Sequence, residues 1–360
     1  MGTAARSGNT QGKSNSTMTR TSQQLDVASL AGYLENHLPG FEGPLDAEKF
    51  AGGQSNPTFL LQSRSGRYVL RRQPLGELLK SAHAVDREFR ILTALSGTAV
   101  PVARPYHLCV DRDVIGSMFY VMSFEDGRIF WNPALPELPR PDRADCYDAV
   151  LQTMAALHDI DVEAAGLADY GRPGSYFERQ IGVWTKQYRA AETERLDAME
   201  TLIGWLPRAC PEDAGPSTLV HGDFRIDNVM FERDSYRVKA VLDWELSTLG
   251  NPLADLAYFC MCLRLPSDGL VPGLAGQDRA ALGVPQEAEI VARYCELRGI
   301  EPIRDWHFYL AFSFFRLAAI AQGVKARALK GNASSTAALR VGDMTRALAE
   351  EAVRVINAHA

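Results

Sequence analysis

The run His221-Gly222-Asp223-Phe224-Arg225-Ile226-Asp227-Asn228 constrains this chain more than any other. Apolar Leu219-Val220 precede it, and two apolar stretches, Val229–Phe231 and Val238–Leu242, follow with polar Glu232–Arg237 between them. Short apolar runs around a polar turn predict a hairpin. Its second strand ends in Asp243-Trp244-Glu245. The pattern delivers Asp223, Asn228 and Asp243 to one edge of a β-structure. Any one of these residues alone reads more simply as a turn cap or a strand end.

Together they suit phosphoryl transfer. That reaction asks the protein for a carboxylate to orient the attacking hydroxyl and for magnesium to neutralise the phosphates. Magnesium takes oxygen ligands, of which only one or two are protein carboxylates. Net charge bounds the partners: at −6 the chain lacks the basic surface of a general nucleic-acid binder. None of its six cysteines forms a CxxC pair, and no His cluster accompanies them, so no metal or disulfide framework is expected. No apolar run approaches membrane-spanning length and no signal peptide is evident, which predicts a cytoplasmic protein.

Elsewhere the patterning predicts a polar, disordered tail over residues 1–24. A first helix is expected at Val27–Leu38, with strands at Glu48–Phe50, Thr58–Ser63 and Arg67–Arg72. Ser81 is placed to cap a helix running to Leu95, and strands at Tyr106–Cys109 and Met118–Ser123 complete a small sheet. Beyond Glu125 helices dominate, at Arg143–Ile160, Tyr176–Arg189, Glu192–Trp205, Pro252–Leu263, Gln286–Leu297, Asp305–Leu329 and Ser335–Asn357. Gly- and Pro-rich Pro266–Pro285 reads as a surface loop.

The catalytic segment aligns without a gap on the protein-kinase catalytic loop H-R-D-L-K-x-x-N, and Asp243 resembles the Asp of D-F-G. Gly222 and Trp244 resemble instead the aminoglycoside and choline phosphotransferase superfamily. More narrowly, the chain resembles the phosphotransferases also found fused to acyl-CoA dehydrogenases. Gly52-Gly53-Gln54-Ser55-Asn56, Tyr68-Val69-Leu70-Arg71, Ser81–Glu88 and Asn251–Ala257 support this. The resemblance covers residues 26–357. It implies an α+β, protein-kinase-like two-lobed fold: a small antiparallel-sheet N-lobe with one helix over 25–125, and a larger, mainly helical C-lobe over 126–360. It implies ATP and magnesium as cofactors and a small hydroxylated acceptor.

Residue by residue, Asp223 would orient or deprotonate the acceptor, and Asn228 and Asp243 would hold magnesium. Arg225 would steady the transferring phosphoryl, and His221 would be structural. Met122-Ser123-Phe124-Glu125 would be the hinge, where the backbone of Ser123 and Phe124 meets adenine. Asp255 would brace the catalytic loop.

On the nucleotide side, Gly52 and Gly53 let the backbone approach phosphate, where the amides and Ser55 can donate. A plain hairpin turn is the competing meaning. Arg71 stands where kinases carry Lys, and Glu88, on the inward face of its helix with Val85 and Leu92, is its expected partner. A surface ion pair of little energetic weight is the alternative. Arg72 is a second candidate, although strand alternation points it the other way.

For the acceptor, His158, Arg316, Gln322, Phe130, Trp131, Tyr176 and Trp184 are candidates, with core packing as the default for each. A hydroxyacyl compound or its coenzyme A thioester follows from the resemblance; an aminoglycoside or amino alcohol is the alternative. A catalytically silent nucleotide-binding module is the competing function, favoured by Arg71 in place of Lys. A dehydrogenase is excluded, because no G-x-G-x-x-G opens a strand–helix unit.

Overall fold

The structure, a computed structural model, describes residues 25–50, 56–75, 84–172, 174–212, 217–329 and 336–359. The expectations for the 1–24 tail, for Gly52, Gly53, Gln54 and Ser55, and for the Ser81 cap lie outside the described residues. The chain divides into two compact units, one comprising residues up to Arg90 with Arg104–Phe124, the other Ile91–Ala103 with Glu125 onward.

The first unit opens with helix α1 (Val27–His37), whose N-cap Asp26 accepts a bond from the Ser29 amide at 3.0 Å. Strands β1 (Asp46–Lys49), β2 (Thr58–Ser63) and β3 (Gly66–Arg72) follow, then helix α2 (Val85–Leu95), whose residues from Ile91 belong to the second unit, and strands β4 (Pro105–Cys109) and β5 (Phe119–Ser123). The strands form one antiparallel sheet in the order β1-β2-β3-β5-β4. Arg64-Ser65 turn β2 into β3, and Gly66 at φ 135° takes a conformation that side chains resist. Alternation sends Phe59, Leu61 and Leu70 into a core with Leu30, Leu34, Phe119 and Val121. Each such side chain contributes about 1.5–3 kcal/mol by leaving water.

The second unit is mainly helical. In chain order it holds β6 (Arg128–Ile129), α3 (Arg143–His158), α4 (Tyr176–Ala191), α5 (Asp197–Ala209), β7 (Thr218–Val220), β8 (Val229–Phe231), β9 (Val238–Val241) and β10 (Thr248–Gly250). Helices α6 (Leu253–Leu263), α7 (Arg279–Leu282), α8 (Glu287–Arg298), α9 (Trp306–Leu329) and α10 (Thr336–Asn357) complete it. Helix α6 is buried at every position from Ala254 to Leu263, so it is a core helix, with Asp255 as its one charged residue. Helix α9 packs on α10, α4 and α6, and its Phe308, Phe312 and Phe315 are core residues.

The structure departs from the sequence expectations at several edges. The helix expected at Glu192–Trp205 runs instead over Asp197–Ala209. Gln322 of α9 donates to the Ala191 carbonyl (2.7 Å) and to Thr193 Oγ1 (2.9 Å), holding the preceding turn open. Strand β10, not expected, pairs with β7, and the two-residue β6 adds to β8. The Pro266–Pro285 loop contains α7, capped by Asp278. Among the described residues no helix is long and apolar enough to cross a membrane.

Candidate active site

The segment His221–Asn228 follows β7 directly. Asp255, in the first turn of α6 and fully buried, accepts the amide of His221 at 2.6 Å through one oxygen and that of Gly222 at 2.8 Å through the other. Gly222 sits at φ 82°, and a Cβ there would lie 2.5 Å from the Leu246 carbonyl oxygen, so only glycine fits. The His221 ring has both nitrogens occupied. Nδ1 faces the Asp223 amide (3.2 Å), which can only donate. The proton is therefore on Nε2, which donates to the Leu242 carbonyl at 2.8 Å. With no lone pair left over, His221 is a tie between loop and hairpin.

A single 3₁₀ turn, Ile226–Asn228, then bends the chain back. The Asn228 side-chain amide donates to the Asp223 carbonyl (2.8 Å) and to Asp223 Oδ2 (3.0 Å). Hairpin pairing places Val229 opposite Val241, and the Leu242 amide donates to the Asn228 carbonyl at 2.8 Å. Asp243, the next residue, adopts φ 61° and ψ 68°, a left-handed conformation that costs a non-glycine residue roughly 1–2 kcal/mol. The hairpin thus carries Asp243 back beside the turn that holds Asn228 and Asp223.

This donor set fits magnesium. Both donations of the Asn228 amide go to Asp223, so its Oδ1 is the oxygen left for a cation. Asp243 adds one carboxylate, and hard oxygen donors of this kind suit magnesium completed by phosphate and water. Among the described residues no group of three His, Cys, Asp or Glu side chains is placed to hold a metal by itself.

Arg225 lies between two carboxylates, with Nε 3.3 Å from Asp223 Oδ1 and Nη2 3.3 Å from Asp227 Oδ2. Burial would lower its pKa, but Asp223 and Asp227 outweigh burial and hold it above its ordinary value. Burial pushes the Asp227 carboxyl up, against the pull of Arg225. Arg225 Nε makes no hydrogen bond despite its ion pair, which leaves Asp223 Oδ1 able to accept one.

In the first unit, Arg71 Nε lies 2.8 Å from Glu88 Oε2. Glu88 is only 2% exposed and also accepts from Asn56 Nδ2 (2.7 Å) and the Tyr120 hydroxyl (3.1 Å). Arg71 and Tyr120 are cross-strand partners, so β3, β5 and α2 converge on one carboxylate. Arg72 points to the other face, over the Phe59 ring at 5.5 Å. The Ser123 amide donates to the Arg104 carbonyl (2.8 Å), and the Arg67 guanidinium covers the Phe124 ring at 4.3 Å.

Sequence reasoning missed one buried chain behind the loop. His158, at the end of α3, contacts Asp255 Oδ2 through Nε2 (3.2 Å) and the Tyr294 hydroxyl through Nδ1 (2.7 Å). Nothing in the sequence near Tyr294 marks it. Burial would raise the Asp255 pKa, but His158 and the His221 amide bring it below its ordinary value. Burial holds the His158 imidazole below its ordinary value, against the pull of Asp255.

A pH dependence follows. The unfolded chain takes up a proton on His158 near pH 6.5, where the folded chain does not, so stability falls on acidification. Asp255 is ionised in both states above pH 5 and adds nothing to that slope. The urea midpoint is expected to drop between pH 7.5 and 5.5, and His158→Gln should shrink the drop by at most about 1.4 kcal/mol per pH unit. An unchanged drop in the variant would show that His158 titrates normally.

Of the other candidates, Gln322 ties the α4–α5 turn, as described above. Arg316 lies near the Trp184 and Tyr258 rings at 5.7 and 5.4 Å, and among the described residues no carboxylate pairs with it. Phe130 and Tyr176 are core residues, whereas Trp131 is 67% exposed and shares a small hollow with Arg225 and Asp227.

The sheet with its packed helix, the helical second unit and this loop together define a protein-kinase-like fold. The chain belongs to the phosphotransferase enzyme family, whose sequence pattern matches residues 46–306. It is 47% identical over 323 residues to mouse acyl-CoA dehydrogenase family member 10, covering 88% of this chain and 30% of that protein. The human family member 11 is 41% identical, with 92% and 43% covered. The chain therefore spans less than half the length of these curated relatives.

A solved Ralstonia eutropha protein assigned to the aminoglycoside phosphotransferases is 46% identical, with a TM-score of 0.84 and coverage of 92% and 98%. Fold alone is shared with choline kinase from Cryptosporidium parvum (11% identity, TM-score 0.60, coverage 92% and 96%). The same holds for a thermostable aminoglycoside phosphotransferase solved with ADP and hygromycin B (17%, 0.58, 90% and 97%). The family and fold expected from the sequence are borne out.

Proposed function

We propose that this phosphotransferase moves the γ-phosphoryl of ATP, with magnesium, onto a hydroxyl of a small molecule. The observation that carries the reading is the Asn228 clamp: both donations of its side-chain amide go to Asp223, which leaves its own oxygen for a cation in this reading. In this reading Asp223 Oδ1 accepts the acceptor hydroxyl proton, the freed oxygen bonds to the γ-phosphorus, and ADP leaves with the electrons of the broken P–O bond. Magnesium held by Asn228 and Asp243 would supply charge neutralisation of the phosphates. Arg225 offers its charge to the transferring group.

Residues 25–125 serve as the nucleotide lobe in this reading, and 126–360 as the catalytic and acceptor lobe. Gly52, Gly53, Gln54, Ser55 and Asn56 would approach the phosphates. Arg71, oriented by Glu88, would supply the cation, and the backbone at Ser123 and Phe124 would meet adenine. The nucleotide assignment is supported by the relative solved with ADP. A hydroxyacyl compound, or its coenzyme A thioester, is the acceptor favoured by the dehydrogenase names of the longer relatives. Choline kinase and the hygromycin complex favour an amino alcohol or aminoglycoside. A cytoplasmic location accords with six free thiols.

ATP at a hundred times its dissociation constant should stabilise the chain by about 2.7 kcal/mol, and much less with magnesium chelated. A thermal shift indifferent to magnesium would instead favour the silent module. A screen of hydroxyacyl thioesters, amino alcohols and aminoglycosides for ATP consumption selects the acceptor.

A further inference from the structure

Helix α10 turns one face toward a cavity of about 380 Å³ that the proposed reaction does not use. Arg340, Met344, Ala347, Leu348, Glu351 and Arg354 fall at three- and four-residue steps along the helix, and all six line this space. From Arg340 to Arg354 the face runs about 21 Å, at 1.5 Å per residue. Buried Leu265, Phe314 and Leu348 form the floor, and Leu270, 41% exposed, stands at the rim. Leu270 belongs to a loop closed at its base, where the Gly273 amide donates to the Pro266 carbonyl and the Ala275 amide to the Leu265 carbonyl, both at 3.0 Å. The next residues, Val271 and Pro272, line instead the small hollow beside Arg225 and Asp227. One loop thus divides the two spaces, and none of Asp223, Asn228 and Asp243 lines the larger one.

The charges of the lining do not cancel. Arg264 is matched by Glu287, to which Nε and Nη2 donate at 2.6 and 2.7 Å. Arg354 Nε donates to Glu351 Oε2 at 2.7 Å, so that pair is neutral. Arg340 is exposed at one end of the face, and among the described residues no carboxylate pairs with it. The cavity therefore offers a long apolar floor and one uncompensated positive charge at its rim. A guanidinium presents its donors in a fork that matches a carboxylate, and one charge balances one.

We propose that this cavity binds a medium-chain alkyl carboxylate, with its chain along α10 beneath Leu270 and its head on Arg340. The volume and the mostly apolar wall are those of a small-molecule site, where a few polar groups fix orientation. The proposal goes beyond the phosphotransferase reading and does not depend on it, because the probes below carry no hydroxyl beyond the carboxylate or a control alcohol and are read by binding alone.

The test titrates the nucleotide-free full chain by calorimetry with hexanoate, octanoate and decanoate, and with 1-octanol as the uncharged control. Affinity should rise about fourfold for each added methylene, the yield of burying one in an apolar space. Arg340→Gln should weaken octanoate about two- to fivefold, as for an exposed ion pair, and leave 1-octanol unchanged. Ala347→Trp, at an exposed position of the wall, should fill the space and weaken every probe about tenfold or more. Crystals of the native chain soaked in 8-bromooctanoate should show an anomalous bromine peak between α10 and Leu270, a readout that needs no variant to fold. Affinity indifferent to chain length, or bromine found elsewhere, overturns the cavity as the site. Equal octanoate binding in the native chain and Arg340→Gln overturns the head-group contact. No saturable response to any alkanoate overturns the proposal outright, and a dimer that Ala347→Trp dissociates would then assign the face to a second copy of the chain.

Discussion

Asp223→Asn is expected to lower kcat by roughly 10²–10⁴-fold, the range ascribed to a positioned general base, with little change in nucleotide affinity. The substitution exchanges one oxygen for an amide nitrogen. Its remaining oxygen can keep the bond from Asn228 Nδ2, now made to Asp223 Oδ2 at 3.0 Å, so the turn is retained. The nitrogen then stands where Oδ1 stood, beside Arg225, and has no lone pair for the acceptor proton. Because the nucleotide contacts lie elsewhere in the proposed site, ATP binding by calorimetry should persist. Turnover is measured with the acceptor that the screen returns. Full turnover in this variant would remove Asp223 from the chemistry and leave the loop as scaffold.

The second large effect falls on stability. Asp255→Ala should cost about 3–5 kcal/mol, the range for removing one member of a buried charged network. The carboxylate takes two main-chain amides and His158, and alanine would leave all three donors buried and unmet. Against a total stability of about 5–15 kcal/mol, that loss is severe. Asp255→Asn is the milder companion, since its oxygen keeps one amide while its nitrogen opposes the other. Chemical denaturation measures both. A cost below about 1 kcal/mol for the alanine variant would mean that the hairpin alone holds His221 and Gly222, and that the brace is incidental.

These two expectations differ in where they were legible. The Asp223 argument was available from the sequence, because its partner Asn228 is five residues away and the turn between them is local. Asp243 was legible for the same reason: the hairpin that returns it is encoded by two apolar runs and a polar turn. The bond pattern around Asp255 was only partly so. Its bracing role came from a resemblance, whereas its contact with His158 spans 97 residues and the next, from His158 to Tyr294, spans 136. Arg71 and Glu88 lay between these cases. Helix and strand periodicity placed each on an inward face, but Asn56 and Tyr120, which also bond Glu88, needed the assembled sheet. The limits of α5 were misjudged because Gln322, more than 100 residues away in sequence, decides where α4 ends.

By itself the sequence determined the turn at His221–Asn228, the hairpin behind it and the sheet-then-helices order, since each follows from turn chemistry and from the periods of strand and helix. Only the tertiary structure decided which tautomer His221 holds, that His158 and Tyr294 stand behind Asp255, and that β10 completes β7. Those outcomes depend on groups far apart in the chain meeting in a low-dielectric interior. There an unmet polar atom is costly, and neighbours in space rather than in sequence set its state.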